Sequence, residues 1–270
     1  MNQAYATLIC NGDSYLAGVE TLGRSLEDTG SGIPRVVMVT SDVTSDARKI
    51  LAAQGWLIRE VTEVPCPDNG NDLIFERYRR SFTKLRAFDL AEYDKVVFLD
   101  ADTVVVSNVD DLFQRPAFAA APDFFMPDRF NSGVMVLEPS RELFQAIVGS
   151  IGNLDNYDGG DQGLLNAHFS GWWTSSAEHR LGPAYNMHHF VYQFMTSHEG
   201  LRKSFIDEIK IIHYTLQKPW KQFTVSGAAA LWWKKYYEVH PEAQSAWSDR
   251  VHAMQDSTFD RAVSLLGGST

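Results

Sequence analysis

The segment Lys95-Val-Val-Phe-Leu-Asp-Ala-Asp-Thr103 constrains the fold of this chain more than any other. Val96 to Leu99 is an uninterrupted apolar run, the pattern of a strand covered on both faces in a parallel sheet. Two carboxylates, Asp100 and Asp102, end the run around the small Ala101, and a second apolar run, Val104-Val105-Val106, follows. Open α/β sheets hold their ligands just past the carboxyl ends of such strands. An extended Asp-x-Asp would send both side chains to one side by alternation. Charges so placed inside a hydrophobic stretch repel each other unless a cation lies between them. Hard oxygen donors suit Mg²⁺ or Mn²⁺, with phosphates completing the coordination. Alone, an Asp-x-Asp also fits a solvated turn or a helix cap; the flanking apolar runs favour the cation.

A chain of 270 residues, 44% hydrophobic and 21% charged, can bury a large core without staples. Its net charge of -10 argues against a broad nucleic-acid or anionic-membrane surface. An anionic ligand would then be met by a metal and a few local Lys and Arg. Cys10 and Cys66 match no metal spacing and no secreted disulfide framework, which points to reduced thiols and a cytoplasmic location. The start carries no basic region followed by an apolar segment, and no stretch is long and apolar enough to span a membrane.

Tyr5 to Cys10, Arg35 to Thr40 and Trp56 to Val61 read as strands. Tyr15 to Leu26 has helical spacing, and Ser45 can cap a second helix reaching Gln54, closed by Gly55. This alternation predicts a parallel α/β sheet wound by right-handed crossovers. A basic cluster, Arg77, Arg79, Arg80, Lys84 and Arg86, precedes the carboxylate strand; it is either a solvated helix face or a phosphate-facing surface. Val109 to Phe113 reads as a short helix, Ala117 to Ala121 and Val134 to Leu137 as strands, and Ser140 as a helix cap. No linker or repeat interrupts the chain. Residues 1–240 are therefore expected to form one domain, with a nucleotide-binding half at 1–106 and an acceptor half at 107–240. Residues 241–270 read as a helical tail that packs on the body or on a partner subunit, which leaves room for a homodimer.

Further segments accompany the carboxylate pair: Thr7 to Asn11 with Tyr15, Thr83-Lys84-Leu85, Phe130 to Val136, Asp158-Gly-Gly-Asp-Gln-Gly163, and His213-Tyr-Thr-Leu-Gln-Lys-Pro-Trp220. In order and spacing, over most of Ala4 to Trp220, this set resembles the glycogenin-like glycosyltransferases of family 8. The resemblance implies a GT-A, Rossmann-like fold with a mixed, mostly parallel sheet. It also implies transfer of a sugar from a UDP-sugar with retention at the anomeric carbon. By the same resemblance Asp100, Asp102 and His213 bind Mn²⁺, with Mg²⁺ as the alternative. Leu8, Asn11, Tyr15 and the backbone of Ala101 lie around the uridine. Lys84 reaches the diphosphate and sugar with Arg77 nearby, Lys218 is a second phosphate clamp, and Asn131, Ser132, Asp158, Asp161 and Gln162 line the sugar and acceptor side. Carboxylates with an imidazole do suit Mn²⁺ better than an all-oxygen calcium cage. An isolated His213 would read as a core histidine, and an isolated Asp158-Gly-Gly-Asp as a turn capping the helix that starts near Gln162.

Two departures stand out. The spacing from His213 to Lys218 is short and lacks the usual glycine, and the Tyr15 segment carries an extra residue through Gly12-Asp13-Ser14. The preferred mechanism has the acceptor hydroxyl attack from the face that UDP leaves. Lys84 and Lys218 share the leaving-group charge, and Asp158, Asn131 and Gln162 orient the sugar. A double displacement would use Asp161 or Gln162 as nucleophile. The expected acceptor is an external hydroxyl on a glycan, polyol or lipid. The alternatives are a glycogenin-like chain that glucosylates its own tyrosine, for which Tyr185 and Tyr192 are the candidates, and a non-catalytic nucleotide-sugar binder. A nucleotidyltransferase would show a Gly-rich basic loop after the first strand, which Asn11-Gly-Asp-Ser does not provide.

Overall fold

The computed structural model describes residues 1–66, 80–197, 205–221 and 227–244. Its strands are β1 (Gln3–Ile9), β2 (Arg35–Val39), β3 (Trp56–Glu60), β4 (Lys95–Leu99), β5 (Thr103–Val105), β6 (Ala119–Pro122), β7 (Phe130–Leu137), β8 (Met187–His188) and β9 (Ile211–His213). Its α-helices are α1 (Leu16–Asp28), α2 (Ser45–Ala53), α3 (Arg141–Gly149), α4 (Asp161–His168), α5 (His189–Thr196) and α6 (Gly227–Val239). A six-stranded sheet runs in the order β3-β2-β1-β4-β7-β6. Its first four strands are parallel, and β7 pairs antiparallel with both β4 and β6. This is the mixed, mostly parallel α/β sheet expected from the sequence.

Strand order reverses about β1: the chain moves outward through β2 and β3, then returns to place β4 on the other side of β1. The crevice at the carboxyl ends of β1 and β4 is therefore a topological switch point, where sheets of this kind open to receive ligands. Alternation along the strands feeds both faces of the sheet. Tyr5, Ile9, Val37, Val39, Val97 and Leu99 pack with Val19, Leu22 and Leu26 of α1 and Leu51 of α2. Ala4, Ala6, Val36, Met38, Val96 and Phe98 pack with Phe82, Leu85, Phe144, Ile147 and Leu164 on the other side. All five residues of β4 are buried, as its unbroken apolar run requires.

The second apolar run does not extend the main sheet. β5 pairs antiparallel with β9, which pairs parallel with β8, in a separate three-stranded sheet. Val104, Ile212, Tyr214, Ala228 and Trp232 form its core, so α6 is packed beneath it. The main sheet itself draws β1 to β4 from residues 1–106 and β6 and β7 from residues 107–240.

Three local expectations change. β7 begins at Phe130, four residues before Val134, and all eight of its residues are buried. Asn131, Ser132 and Gly133 hid that strand, because polar residues and glycine do not read as strand when their partners lie elsewhere in the chain. The helix at 45–53 is capped by Thr44, whose hydroxyl accepts from Ala47 N–H, and not by Ser45. The Lys84 segment is a 3₁₀ helix, Ser81–Asp89. Ser140 caps α3 as expected. Arg77 and residues 245–270 of the expected helical tail lie outside the described residues. Among the described residues, no helix is long and apolar enough to cross a membrane.

Thr44 also ties α2 to the β1–α1 loop, through Asp13 Oδ1 on its N–H (3.0 Å) and Asp13 Oδ2 on its hydroxyl (2.7 Å). Thr44→Ala is expected to lower unfolding free energy by about 1–2 kcal/mol with an unchanged m-value in a urea titration, while Ser45→Ala costs less than about 0.5 kcal/mol.

Candidate active site

β4 ends at Leu99 in the main sheet, and β5 starts at Thr103 in the other, so the chain must bend within Asp100-Ala101-Asp102. Thr103 N–H donates to Asp100 O at 3.0 Å and closes the bend. The Asp-x-Asp is thus a tight turn and not the extended pair that alternation predicts. Its backbone is held from both sheets: Asp100 N–H donates to Gly133 O at 2.8 Å, and Tyr214 N–H donates to Asp102 O at 2.8 Å. Helix α1 presses on the same turn at Gly18, where any Cβ would collide with the carbonyl oxygen of Ala101.

Pairing of β5 with β9 sets Thr103 opposite His213 and so delivers the imidazole to the turn. One ligand atom from each of Asp100, Asp102 and His213 lies within 4.8 Å of the others. His213 Nε2 is 3.3 Å from Asp102 Oδ1 and 3.8 Å from Asp100 Oδ2. The other ring nitrogen, Nδ1, lies 2.9 Å from Asn186 Oδ1. An amide oxygen there accepts, so Nδ1 carries the hydrogen and Nε2 presents a lone pair to the carboxylates. Lone pairs facing across 3.3 Å need a proton or a metal ion between them. The donor set therefore fits a divalent cation, with the tautomer fixed from behind.

Asn186 does not act alone. Its Nδ2 donates to Asn131 Oδ1 (2.9 Å), and Asn131 Nδ2 donates to Asp123 Oδ2 (3.1 Å). Gly133 is required by the same packing, since a Cβ there would run into the His213 ring.

Two lysines flank the carboxylates. Lys84 Nζ is 2.9 Å from Asp100 Oδ1 and 2.9 Å from Asp161 Oδ2, and it donates to Ser132 Oγ at 3.2 Å. Lys218 is ion-paired with Asp102. Burial works against the Lys84 charge, but Asp100 and Asp161 outweigh it and raise its pKa. Burial opposes Lys218 in the same way, and Asp102 again wins. The aspartates are pushed apart. Burial raises Asp100, with Lys84 offsetting in part and the Asp102 charge adding to the rise. Asp102 is held well below the usual carboxylate range, because the Lys218 charge beside it outweighs its burial. Negative and positive groups thus alternate through the contacts Asp161–Lys84–Asp100 and Asp102–Lys218, an arrangement that can hold a cation and an anionic ligand together.

The remaining expected residues fall as follows. Asp161 Oδ2 accepts from Ser132 Oγ at 2.8 Å as well as from Lys84. Gln162 Oε1 accepts from Ser132 N–H at 3.2 Å. Asp158 Oδ1 accepts from Gly160 N–H (2.8 Å) and Gly163 N–H (3.0 Å), so this carboxylate caps the start of α4. Leu8 is half-buried, and Asn11 sits at φ +82° on the crevice side of β1. Tyr15 packs edge-on against Trp220, with ring centroids 5.5 Å apart, and Trp220 Nε1 donates to Ser14 O at 3.0 Å. The Lys218-Pro-Trp220 segment therefore closes onto the start of α1. Ala101 is buried beneath Gly18. Direct contacts link Lys84, Asp100, Asp102, Ser132, Asp161, Gln162, His213 and Lys218 into one cluster, and Arg77 lies outside the described residues.

Sequence reasoning missed Asp123, Tyr157 and Asn186. Asp123 carried a usable signal, since it follows the apolar Ala119 to Pro122 much as Asp100 follows β4. Asn186 had none: a single amide acquires its role only when β8 and β9 pair.

The fold and site define a GT-A glycosyltransferase architecture. Among solved structures, glycosyltransferase GlyE of Streptococcus pneumoniae TIGR4 is similar with a TM-score of 0.60 at 21% identity, covering 90% of this chain and 64% of that one. Galactosyltransferase LgtC, in complex with donor and acceptor sugar analogs, is similar with a TM-score of 0.60 at 20% identity, covering 87% and 95%. The family model Glycosyl transferase family 8 matches residues 7–123. Glycogenin-1 of Mus musculus is 37% identical over 226 residues, covering 81% of this chain and 66% of its own length. Inositol phosphorylceramide glucuronosyltransferase 1 of Arabidopsis thaliana is 36% identical over 242 residues, covering 82% of this chain and 43% of its own length. The chain belongs to glycosyl transferase family 8. It spans about half to two thirds of the length of these two relatives.

Gly133→Ala is expected to displace His213 and weaken divalent-cation binding about 10- to 100-fold in a calorimetric titration with MnCl₂, while the far-UV spectrum stays native. Unchanged affinity would remove His213 from the ligand set.

Proposed function

We propose that this chain is a retaining, metal-dependent glycosyltransferase that moves a hexose, glucose being favoured, from a UDP-sugar to an external hydroxyl acceptor. The observation that carries the reading is the convergence of Asp100, Asp102 and the Nε2 lone pair of His213 at the switch point of a family 8 fold. Asp100, Asp102 and His213 would hold the ion, Mn²⁺ by the chemistry of a mixed imidazole and carboxylate set, with Mg²⁺ as the alternative. When bound, it supplies positive charge to the diphosphate leaving group.

The chain's own residues do the rest. Lys84 and Lys218 are fully charged at neutral pH and already aligned on the two aspartates, so they can turn to phosphate oxygens with little reorganisation. Asn131, Ser132 and Gln162 present amides and a hydroxyl to the sugar. Asp161 is committed to Lys84 and Ser132, which supports an orienting role and a front-face attack over a covalent intermediate on this carboxylate. The capping bonds of Asp158 support a role in shaping the loop that carries Asp161 and Gln162. Leu8, Asn11 and Tyr15 remain the uridine side of the reading.

An external acceptor is favoured by the exposed Phe124 and Phe125, which adjoin Asp123 and present apolar faces of the kind sugar rings stack on. Self-glucosylation is disfavoured: Tyr185 is buried with its hydroxyl on Asp111, and Tyr192 packs against the core under the second sheet. Residues 1–240 are read as one transferase domain followed by a tail. A cytoplasmic location suits the Cys10 thiol, which burial pushes up to about 12, and the tail leaves homodimerisation as part of the proposal.

Asp102→Asn is expected to cut metal-dependent UDP release from UDP-sugars by at least about a hundredfold with the fold intact by circular dichroism, and EDTA should do the same to wild type. Activity retained in Asp102→Asn would contradict the metal assignment. Intact mass after incubation with UDP-glucose and Mn²⁺ should show no hexose on the protein; hexose additions would establish self-glucosylation instead.

A further inference from the structure

Gln162 has its side-chain amide fixed by three neighbours. Oε1 accepts from Ser132 N–H at 3.2 Å, while Nε2 donates to Asp123 Oδ2 at 3.4 Å and to Tyr157 Oη at 3.0 Å. A flipped amide would set its oxygen against the Asp123 carboxylate and its NH₂ against the Ser132 N–H, so only one orientation satisfies the network. The Asp123 anchor is long, and that carboxylate already accepts from Asn131 Nδ2 (3.1 Å) and Phe125 N–H (2.9 Å). Tyr157 is the shorter anchor. It lies in the loop before α4, the residue is 42% exposed, and none of the segments singled out in the sequence contains it. Burial pushes its phenol up to about 12, with the Gln162 bond lowering it in part, so the hydroxyl stays protonated and neutral throughout the working range.

We propose that Tyr157 is a positioning residue for the transfer reaction, holding the Gln162 amide in the one orientation in which it can meet the donor sugar. The proposal rests on the reading of this crevice as a sugar-transfer site with Gln162 beside the sugar. Tyr157 itself need not touch substrate. Its hydroxyl oxygen takes one Nε2 hydrogen, and loss of that oxygen leaves Nε2 on the single long contact to Asp123, with Oε1 still accepting from Ser132 N–H.

The test is a double-mutant cycle with a structural arm. Wild type, Tyr157→Phe, Gln162→Ala and the double variant are compared by UDP release from UDP-glucose with Mn²⁺ and by thermal midpoint. Tyr157→Phe is expected to lower kcat about three- to tenfold, the loss of one hydrogen bond, with the KM for UDP-glucose and the midpoint unchanged. In the Gln162→Ala background the same substitution should change kcat less than about twofold. An unchanged kcat in Tyr157→Phe, or an equal loss with Gln162 already gone, would overturn the proposal. In the ¹⁵N–¹H spectrum, the side-chain amide pair that disappears in Gln162→Ala should shift in Tyr157→Phe; a pair that does not move also overturns it. A pair that shifts in a protein that turns over no UDP-sugar would sustain the positioning and sink the transferase reading instead.

Discussion

The contact between His213 Nε2 and the Asp102 carboxylate is the interaction around which the rest of the molecule is arranged. Two acceptor atoms are held close together in a buried place, and neither can retreat. Asp102 is tied through its backbone to Tyr214, one residue beyond His213, while Asn186 fixes the imidazole from the far side. Folding brings these groups together at the cost of desolvation, offset here by Lys84 and Lys218. A buried cluster of this kind is a poor way to stabilise a fold and a good way to prepare a cation site, because the repulsion is relieved when the ion arrives.

The two-sheet architecture follows from that need. One sheet alone could supply the aspartate at the end of β4 but not an imidazole opposite it. By leaving the main sheet within three residues, the chain starts β5 in a second sheet, and antiparallel pairing with β9 brings a residue more than a hundred positions away into register. Glycines at the seam permit the approach. Gly18 lets α1 lie against Ala101, and Gly133 leaves room for the imidazole. The family likeness and the local physics therefore point to the same few positions.

Much of this was legible in the chain. The apolar run Val96 to Leu99 declared a buried strand, and its abrupt end in two aspartates declared a ligand site. What could not be read were features decided by distant partners. Alternation failed at Asp100-Ala101-Asp102 because the sheet ends there. Phe130 to Gly133 did not look like strand because the polar partners of Asn131 and Ser132 lie in other segments. Thr44 and Ser45 are adjacent hydroxyls, and the choice between them was made by Asp13, which holds Thr44. Lys84 and His213 were found through resemblance to a family, since neither sits in a local pattern that demands its role. Asn186 and Tyr157 act only through other side chains, and such residues leave little trace in spacing.

The most direct measurement is pulsed electron paramagnetic resonance of Mn²⁺ bound to the protein with UDP, using protein labelled with ¹⁵N in its histidines. The account predicts hyperfine coupling to one imidazole nitrogen, absent when His213 is replaced by alanine. Mn²⁺ held without any nitrogen coupling, or with a coupling that survives that replacement, would contradict it.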